Sequence, residues 1–510
     1  MAMTPVALSL FFFVVGTFLL WLANRAATPK GVTFDQSLSV NRRLEVAPVA
    51  VTAVLVYWGL TALLARPVSV FCLSVLGIVL LLAGNALKVK LLGEVLLFSD
   101  VFLAGHALRF PRLYFGYVPK WVWAVLAVFV VALAGEVAQE SAHESLRVLA
   151  LVFFGAGVAF TWTGLKFLVG QADAFLSANP PVFRAQVDAA RFTPFGAALV
   201  HLVSFLARAE TIRRRFNLNG REIECSESTS NAHENEVKAQ KTDQTPRHFV
   251  LIQAESYCPV AELLNRPSTT PTIDALRTQG PGGKLLLDWR GAYTMRTEFS
   301  VLTGLETTSL EAYAFDPYQL ARRIPMASLA RDFKARGYDT VAWHPNDGRF
   351  FDRFAVMPHL GFSRLMDIAA FADLPREGHY VGDKVLLQRA AQFLATCTKP
   401  TFLFIVTIEA HGPWSGTAQE QLAEYEEHLR HLDEGVDELV KSLSRSHPGS
   451  TLALYGDHLP SLAVLRKASP ATAWFAHRCS AETSAAEHAT PQDLPAHQMR
   501  DTLLRLHTKP

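Results

Sequence analysis

The sequence predicts two halves of different class: about five membrane-spanning helices, then an α/β domain. Three observations predict this. Half of the 510 residues are hydrophobic and only 18% are charged, with a mean hydropathy of +0.19, a balance too apolar for a soluble chain of this length. The apolar residues concentrate in the first 170 positions, in runs near the ~20 residues that cross a bilayer. From Arg247 onward the pattern changes to short β-rich runs, each ending in polar residues. The expected boundaries are 1–170 for the transmembrane domain, 171–246 for an interfacial helix and polar linker, and 247–510 for the α/β domain.

The apolar runs of the first half are 6–23, 46–65, 68–87, 121–134 and 148–169. The fourth is short, and is extended by the neighbours of Glu136 or met by a thin local bilayer. The first has no basic segment ahead of it and a second apolar run follows closely, so it reads as a span and not as a cleaved signal. Between the third and fourth runs, Lys88 to Asp100 is amphipathic and mixed in charge, as in an interfacial or re-entrant segment, or an ordinary loop. The run 195–206, holding His201 and followed by Arg208, Arg213, Arg214 and Arg215, is too short to span and reads as a helix at headgroup level. Residues 217–244 carry few large apolar side chains and read as a linker or disordered segment.

Charge limits both partners and orientation. The 48 Lys and Arg against 46 Asp and Glu give a net +2, which leaves no global basic field for nucleic acid. Arg25, Lys30, Arg42 and Arg43 flank the first loop, and Lys88, Lys90, Arg109, Arg112 and Lys120 the third. Taken alone, the positive-inside rule puts these loops, and with them the C-terminal half, in the cytoplasm.

In the second half, apolar runs from His248 to Glu255, Thr340 to His344, Phe402 towards His411 and Thr451 to Asp457-His458 read as strands buried on both faces. Helical patterns at 326–336 and 385–396 lie between them. Ligands in open α/β sheets bind beyond the carboxyl ends of the strands, where these Glu, His and Asp residues fall. Asp457 and His458 offer an oxygen and an imidazole side by side, Glu255 adds a second carboxylate, and the set makes a divalent-cation site. No cysteine pair has structural-zinc spacing; Cys225, Cys258, Cys397 and Cys479 form up to two bridges or remain free. In the block from Gly291 to Gly304, a strand-like run at 284–287 precedes Thr294, and a helix-compatible run follows it. Thr294 therefore reads either as a nucleophile at a phosphate-binding helix N-terminus or as an N-cap, with Thr297 an equally good cap one turn on.

Four motifs occur in order: Ala254-Glu255-Ser256-Tyr257, Thr294-Met-Arg-Thr-Glu-Phe-Ser-Val-Leu-Thr-Gly304, Thr407-Ile-Glu-Ala-His411-Gly-Pro-Trp414 and Tyr455-Gly-Asp457-His458-Leu-Pro460. Together they resemble the lipoteichoic acid synthase and phosphoglycerol transferase branch of the sulfatase, or alkaline phosphatase, superfamily. The resemblance implies a sulfatase-like α/β domain from Arg247 onward, with one divalent cation, Mn²⁺ or else Mg²⁺, held by Glu255, Thr294, Asp457 and His458. It implies Thr294 as nucleophile, His411 as a catalytic and substrate-binding residue, and His344, Asn346, Phe351 and Arg353 around the head group. Asn346 stands where those enzymes carry an acidic residue and Phe351 where they carry Trp. The block at Thr294 lacks the Cys/Ser-x-Pro-x-Arg setting of sulfate-ester hydrolysis.

The implied activity is transfer of phosphoglycerol from phosphatidylglycerol to a cell-envelope glycan or polyol-phosphate acceptor through a phospho-threonine; phosphoethanolamine transfer and phosphodiester hydrolysis are the alternatives. The implied location is the bacterial plasma membrane, multi-pass, with the catalytic domain periplasmic, against the loop-charge reading.

Overall fold

The protein is described by a computed structural model covering residues 3–97, 100, 109, 120–139, 142–237, 246–289, 293–480 and 491–508. The chain forms two compact units, Met1–Glu210 and Thr211–Pro510.

The first unit is helical. Helix α1 (Pro5–Ala27) starts where Thr4 accepts the Ala7 amide and Pro5 takes the first position, where its missing N–H costs nothing. Helices α2 (Val46–Leu64) and α3 (Pro67–Leu92) follow, the latter ended by Gly93 in the left-handed conformation. Then come α4 (Lys120–Gln139), α5 (Glu144–Gly170), α6 (Ala172–Ala178) and α7 (Ala185–Val237). Among the described residues, five helices are long and apolar enough to cross a membrane: Pro5–Ala27, Arg42–Leu64, Pro67–Leu92, Glu144–Gly170 and Ala185–Asn217. The expected fourth span lies on α4, whose side chains are described only in part.

The expected short helix at 195–206 is instead the middle of a 33-residue apolar stretch. It differs from the other four in burial: 67% of its most apolar window is buried, against 6–28% for theirs. Phe192, Ala197, Val200 and Val203 pack on Leu44, on Leu165 and Leu168 in the last turns of α5, and on α6. This part of α7 therefore covers one end of the bundle. Thr193, at φ +65° and ψ 162°, breaks the helix just before Pro194, where a following proline disfavours helical geometry. The polar segment 217–244, expected to be irregular, continues the helix as far as Val237; it holds no proline and one glycine, so its backbone has no strong terminator. Residues 238–245 lie outside the described residues, as do Arg112 and Gly291. Lys88, in the last turn of α3, pairs with Asp100 at 2.8 Å, and Asn85 accepts the Leu96 amide, so the described part of the amphipathic segment folds back on α3.

The second unit is built on an eight-stranded mixed sheet of order β10-β2-β9-β8-β1-β7-β3-β4. The strands are β1 (Phe249–Ala254), β2 (Gly282–Leu286), β3 (Asp339–Trp343), β4 (Arg364–Met366), β7 (Thr401–Val406), β8 (Thr451–Gly456), β9 (Ala471–Arg478) and β10 (Leu494–Pro495), with β5 (Arg376–Glu377) and β6 (Tyr380–Val381) as a separate pair. Central β1 runs parallel to β7 and β8, and β3 runs parallel to β7. Strand β9 is antiparallel to both β8 and β2, which gives β2 the direction of β8. Strand β4 is parallel to β3 and β10 to β2, so seven of the eight strands end on one edge. Every residue of β1, β7 and β8 is buried, as their unbroken apolar runs require. The 29-residue helix Ala418–Ser446 covers one face, its start fixed by a capping box between Thr417 and Glu420. Cys258, Cys397 and Cys479 are unbridged; the Cys225 side chain is not among those described.

Candidate active site

The edge where β1, β2, β3, β7 and β8 end carries Glu255 after β1, Asp457 and His458 after β8, His344 after β3 and Thr407 after β7, while the chain leaving β2 leads to Thr294. Potential ligand atoms of Glu255, Asp457 and His458 all lie within 4.8 Å of one another. Each residue is nearly or fully buried. His458 Nε2 stands 3.5 Å from Glu255 Oε1 and 3.3 Å from Asp457 Oδ2. Its Nδ1 donates to the Leu459 carbonyl at 3.1 Å, which leaves the Nε2 lone pair towards the two carboxylates. The Ser256 and His458 amides donate to Asp457 Oδ1 at 2.7 and 2.9 Å. Asp457 Oδ2 is buried without a hydrogen-bond partner.

Two carboxylates and an imidazole with a free lone pair, one oxygen unsatisfied, are the donor set of a hard or borderline divalent cation. The electrostatics agree. Burial, reinforced by the Glu255 carboxylate and opposed by His458, pushes Asp457 up to about 7. Burial works against a proton on His458, but Asp457 and Glu255 outweigh it and raise its affinity. Without a cation the cluster gathers protons in its place.

Thr294 is the first residue of the helix Thr294–Thr303, and its hydroxyl interacts with Asp457, favouring the ionised carboxylate. Thr297 is turned away from the N-terminus: its Oγ1 donates to the Asp457 carbonyl at 2.5 Å and accepts from Trp289. The backbone is strained at both approaches to the cluster. Ser256, directly after Glu255, has φ +54°, and Tyr293, directly before Thr294, has φ +63°, conformations that persist where surrounding structure imposes them. Gly456 precedes Asp457 because a Cβ there would sit 1.8 Å from the Tyr257 carbonyl oxygen.

Beside the cluster, His344 Nδ1 donates to the Val406 carbonyl at 3.2 Å. Burial first, then the charge of Arg353, hold its pKa well below the ordinary histidine value. His344 is thus a neutral acceptor at Nε2. His411 is less buried, with Nδ1 on the Gly412 carbonyl at 2.6 Å and the Tyr380 hydroxyl 3.3 Å away. Phe351 is buried with φ +56°, and its ring lies 5.5 Å from the Arg353 guanidinium carbon. The Asn346 side-chain oxygen accepts the Asp347 amide at 2.9 Å, which fixes the amide and leaves its second lone pair and its NH₂ for a ligand. Arg353 is bonded to the fully buried Glu298, Nη2 to Oε2 at 2.7 Å, while its Nη1 is buried without a partner. Tyr318 and Gln253 also donate to Glu298, and Tyr455 donates to Gln253.

Motif reading passes over two parts of this arrangement. Glu298, a carboxylate inside an apolar helical run, is detectable as a buried charge that needs a partner. The second part is the turn after β7. Asp383 Oδ1 accepts the Glu409 amide at 3.2 Å and Glu409 Oε2 accepts the Asp383 amide at 2.6 Å, with His431 on the other Glu409 oxygen. This reciprocal clamp holds the turn that carries His411, and Thr407 in the same turn accepts the Glu255 amide at 3.1 Å.

A family model described as sulfatase matches residues 247–504, just over half of the chain. Over 479 residues the chain is 26% identical to a Rhizobium meliloti (strain 1021) protein described as capsular polysaccharide biosynthesis protein RkpI, covering 90% of this chain and 86% of that one. Among solved structures it is similar to the Streptococcus pyogenes phosphoglycerol transferase GacH in complex with sn-glycerol-1-phosphate, at 17% identity and TM-score 0.44 over 58% of this chain and 81% of that one. It is also similar to the lipooligosaccharide phosphoethanolamine transferase EptA of Neisseria meningitidis, at 14% identity and TM-score 0.49 over 92% and 96%. By the family match, which spans the sheet and every residue of the site, the chain belongs to the sulfatase family.

Proposed function

We propose that the protein is a membrane-bound, metal-dependent transferase that moves phosphoglycerol from phosphatidylglycerol to a cell-envelope glycan or polyol-phosphate polymer, on the outer face of the plasma membrane. The observation that carries this reading is the Thr294 hydroxyl, set at a helix N-terminus against the buried Glu255, Asp457 and His458 cluster. The capsular-polysaccharide role in the printed name of the Rhizobium relative agrees with an envelope glycan as acceptor.

A divalent cation, Mn²⁺ or Mg²⁺, held by Glu255, Asp457, His458 and the Thr294 oxygen would lower the hydroxyl pKa and draw off charge from the phosphoryl group. Thr294 attacks phosphorus and diacylglycerol leaves; an acceptor hydroxyl then attacks the phospho-threonine. The helix dipole and Arg353 Nη1 meet charge on the phosphoryl oxygens. Neutral His344 accepts a head-group hydroxyl at Nε2. Protonation of the leaving oxygen falls to His411, because burial and Arg353 keep His344 unprotonated.

The head-group preference rests on the loop after β3. An ammonium would seek a carboxylate there, but Asp347 is paired with Arg349 at 2.5 Å and Asp352 with Arg322 at 2.7 Å. The test is to incubate the purified protein with phosphatidylglycerol or phosphatidylethanolamine labelled in the head group and follow the label and diacylglycerol. The expected result is faster diacylglycerol release from phosphatidylglycerol, with label passing through a Thr294 peptide to the acceptor. Equal or inverted rates would move the assignment to phosphoethanolamine transfer, and label released only to water would make the protein a hydrolase.

A further inference from the structure

The phosphotransfer reading leaves unused a cavity of about 290 Å³ at one end of the helical unit. Its wall joins three cations, Arg25, Lys30 and Arg42, to the apolar side chains of Val32 and Phe34. We propose that this cavity binds the phosphate headgroup of an anionic membrane phospholipid; its value to the enzyme rests on the transferase reading above, which puts this end on the outer face.

The charges are arranged for an external anion. Arg25 is already matched: its Nη2 and Nε both approach Glu45 at 2.5 Å, and Trp21 and Asn24 donate to the same carboxylate. Lys30 and Arg42 are exposed and have no carboxylate partner among the described residues. Asp35, the acid of this loop, accepts the Ser37 amide instead. Three cations against the one charge of Glu45 leave two positive charges facing the cavity, enough for a phosphodiester and its counter-dipoles. Arg42 can grip two phosphate oxygens and Lys30 a third.

The location suits a lipid and not a solute. The 23 residues of α1 span about 35 Å, slightly more than the ~30 Å hydrocarbon layer, so the loop after Ala27 lies at headgroup depth. Val32 and Phe34 give the ligand's glycerol end an apolar bed. The end of the loop that leads into Arg42 is tied to α7: Arg191 donates to the Ser39 carbonyl at 2.8 Å, and the Asn41 amide donates to the Arg191 carbonyl at 3.1 Å. The same site accounts for the charge pattern that opposes the topology. Basic residues in an outer loop run against the positive-inside rule, and an anionic ligand supplies a reason for keeping them.

The test uses the full chain in detergent micelles with native mass spectrometry, adding phosphatidylglycerol or phosphatidylcholine. Beyond any lipid held at the catalytic site, the wild type should retain one further phosphatidylglycerol at least about tenfold better than a further phosphatidylcholine, counted from the number of lipids bound per chain. Lys30→Gln/Arg42→Gln should lose that preference, and Lys30→Arg/Arg42→Lys should keep it. An unchanged preference in the Gln double variant, or none in the wild type, overturns the proposal. Inorganic phosphate should compete poorly; displacement of the lipid at equal concentration would overturn the lipid assignment. Binding is read without turnover, so this site can fail while head-group transfer stands, and transfer can fail while the site stands.

Discussion

At the scale of single residues, the cluster at the sheet edge sets the chemistry. Replacing Thr294 by Ala removes the proposed attacking oxygen and little volume, so on the transferase reading turnover should fall on the order of 10⁴-fold or more, while circular dichroism and the melting temperature stay those of the wild type. Asp457 makes the cation pH-dependent. Its carboxyl is pushed up to about 7, and proton and cation compete for the same oxygens, so binding at lower pH must first displace the proton. Affinity for Mn²⁺ should therefore weaken as pH falls below about 7, approaching about tenfold per pH unit for each proton displaced; titration calorimetry across that range checks the slope. Besides its proposed contact with phosphate, Arg353 neutralises the buried Glu298. Arg353→Ala would leave Glu298 charged and buried, at a cost of about 3–5 kcal/mol. Glu298→Gln/Arg353→Met removes both charges and should recover most of that stability in thermal unfolding without recovering activity, which separates the two roles.

At the scale of elements, what surrounds the strands decides how well the site is held. The clamp between Asp383 and Glu409 joins the start of the helix Asp383–Ala395 to the turn after β7. Asp383→Ala strips the Ile408 and Glu409 amides of an acceptor, with an expected loss of about 1–3 kcal/mol. Hydrogen exchange should rise first in 407–411, and turnover should fall with His411 displaced. At the opposite end of the sheet, His248 accepts the Thr401 amide through Nδ1 at 3.2 Å, so it must stay neutral there. Burial, aided by His447, depresses its pKa from 6.5 to about 4. In that interval the unfolded chain holds the extra proton, so stability falls as pH drops from about 6.5 to about 4. His248→Asn keeps an acceptor but cannot titrate, and acid denaturation monitored by tryptophan fluorescence should begin at lower pH.

At the scale of the whole molecule, orientation is the open consequence of packing. If α7 covers the bundle end and does not cross, α1 to α5 make five crossings and the two chain ends lie on opposite faces. A reporter fused after Pro510 should then be active only outside the cytoplasm, and a tag beside Arg66, between α2 and α3, should be inside. A cytoplasmic signal from the fusion would restore the loop-charge reading and remove the outer-leaflet donor.

Legible in the sequence alone are the two halves, the strands β1, β3, β7 and β8 nearly to the residue, and Glu255, Asp457 and His458, which the fold brings within reach of one another. The reason is local: a strand buried on both faces must be apolar throughout, and the polar residue that ends it marks the sheet edge. The same logic leaves β9 unread, because Ala471–Arg478 mixes small, aromatic and basic residues without a motif. The helix Ala418–Ser446 is likewise unread, although Leu422, Tyr425, Leu429, Leu432 and Val436 recur along it at helical spacing. It is the folded arrangement that ties Arg353 to Glu298, holds His344 neutral, and gives Asp347 and Asp352 their arginine partners. Likewise it decided that Arg25 is matched to Glu45 while Lys30 and Arg42 face a cavity. Each of these depends on a distance between side chains and on the water removed around them. Neither leaves a periodic trace along the chain.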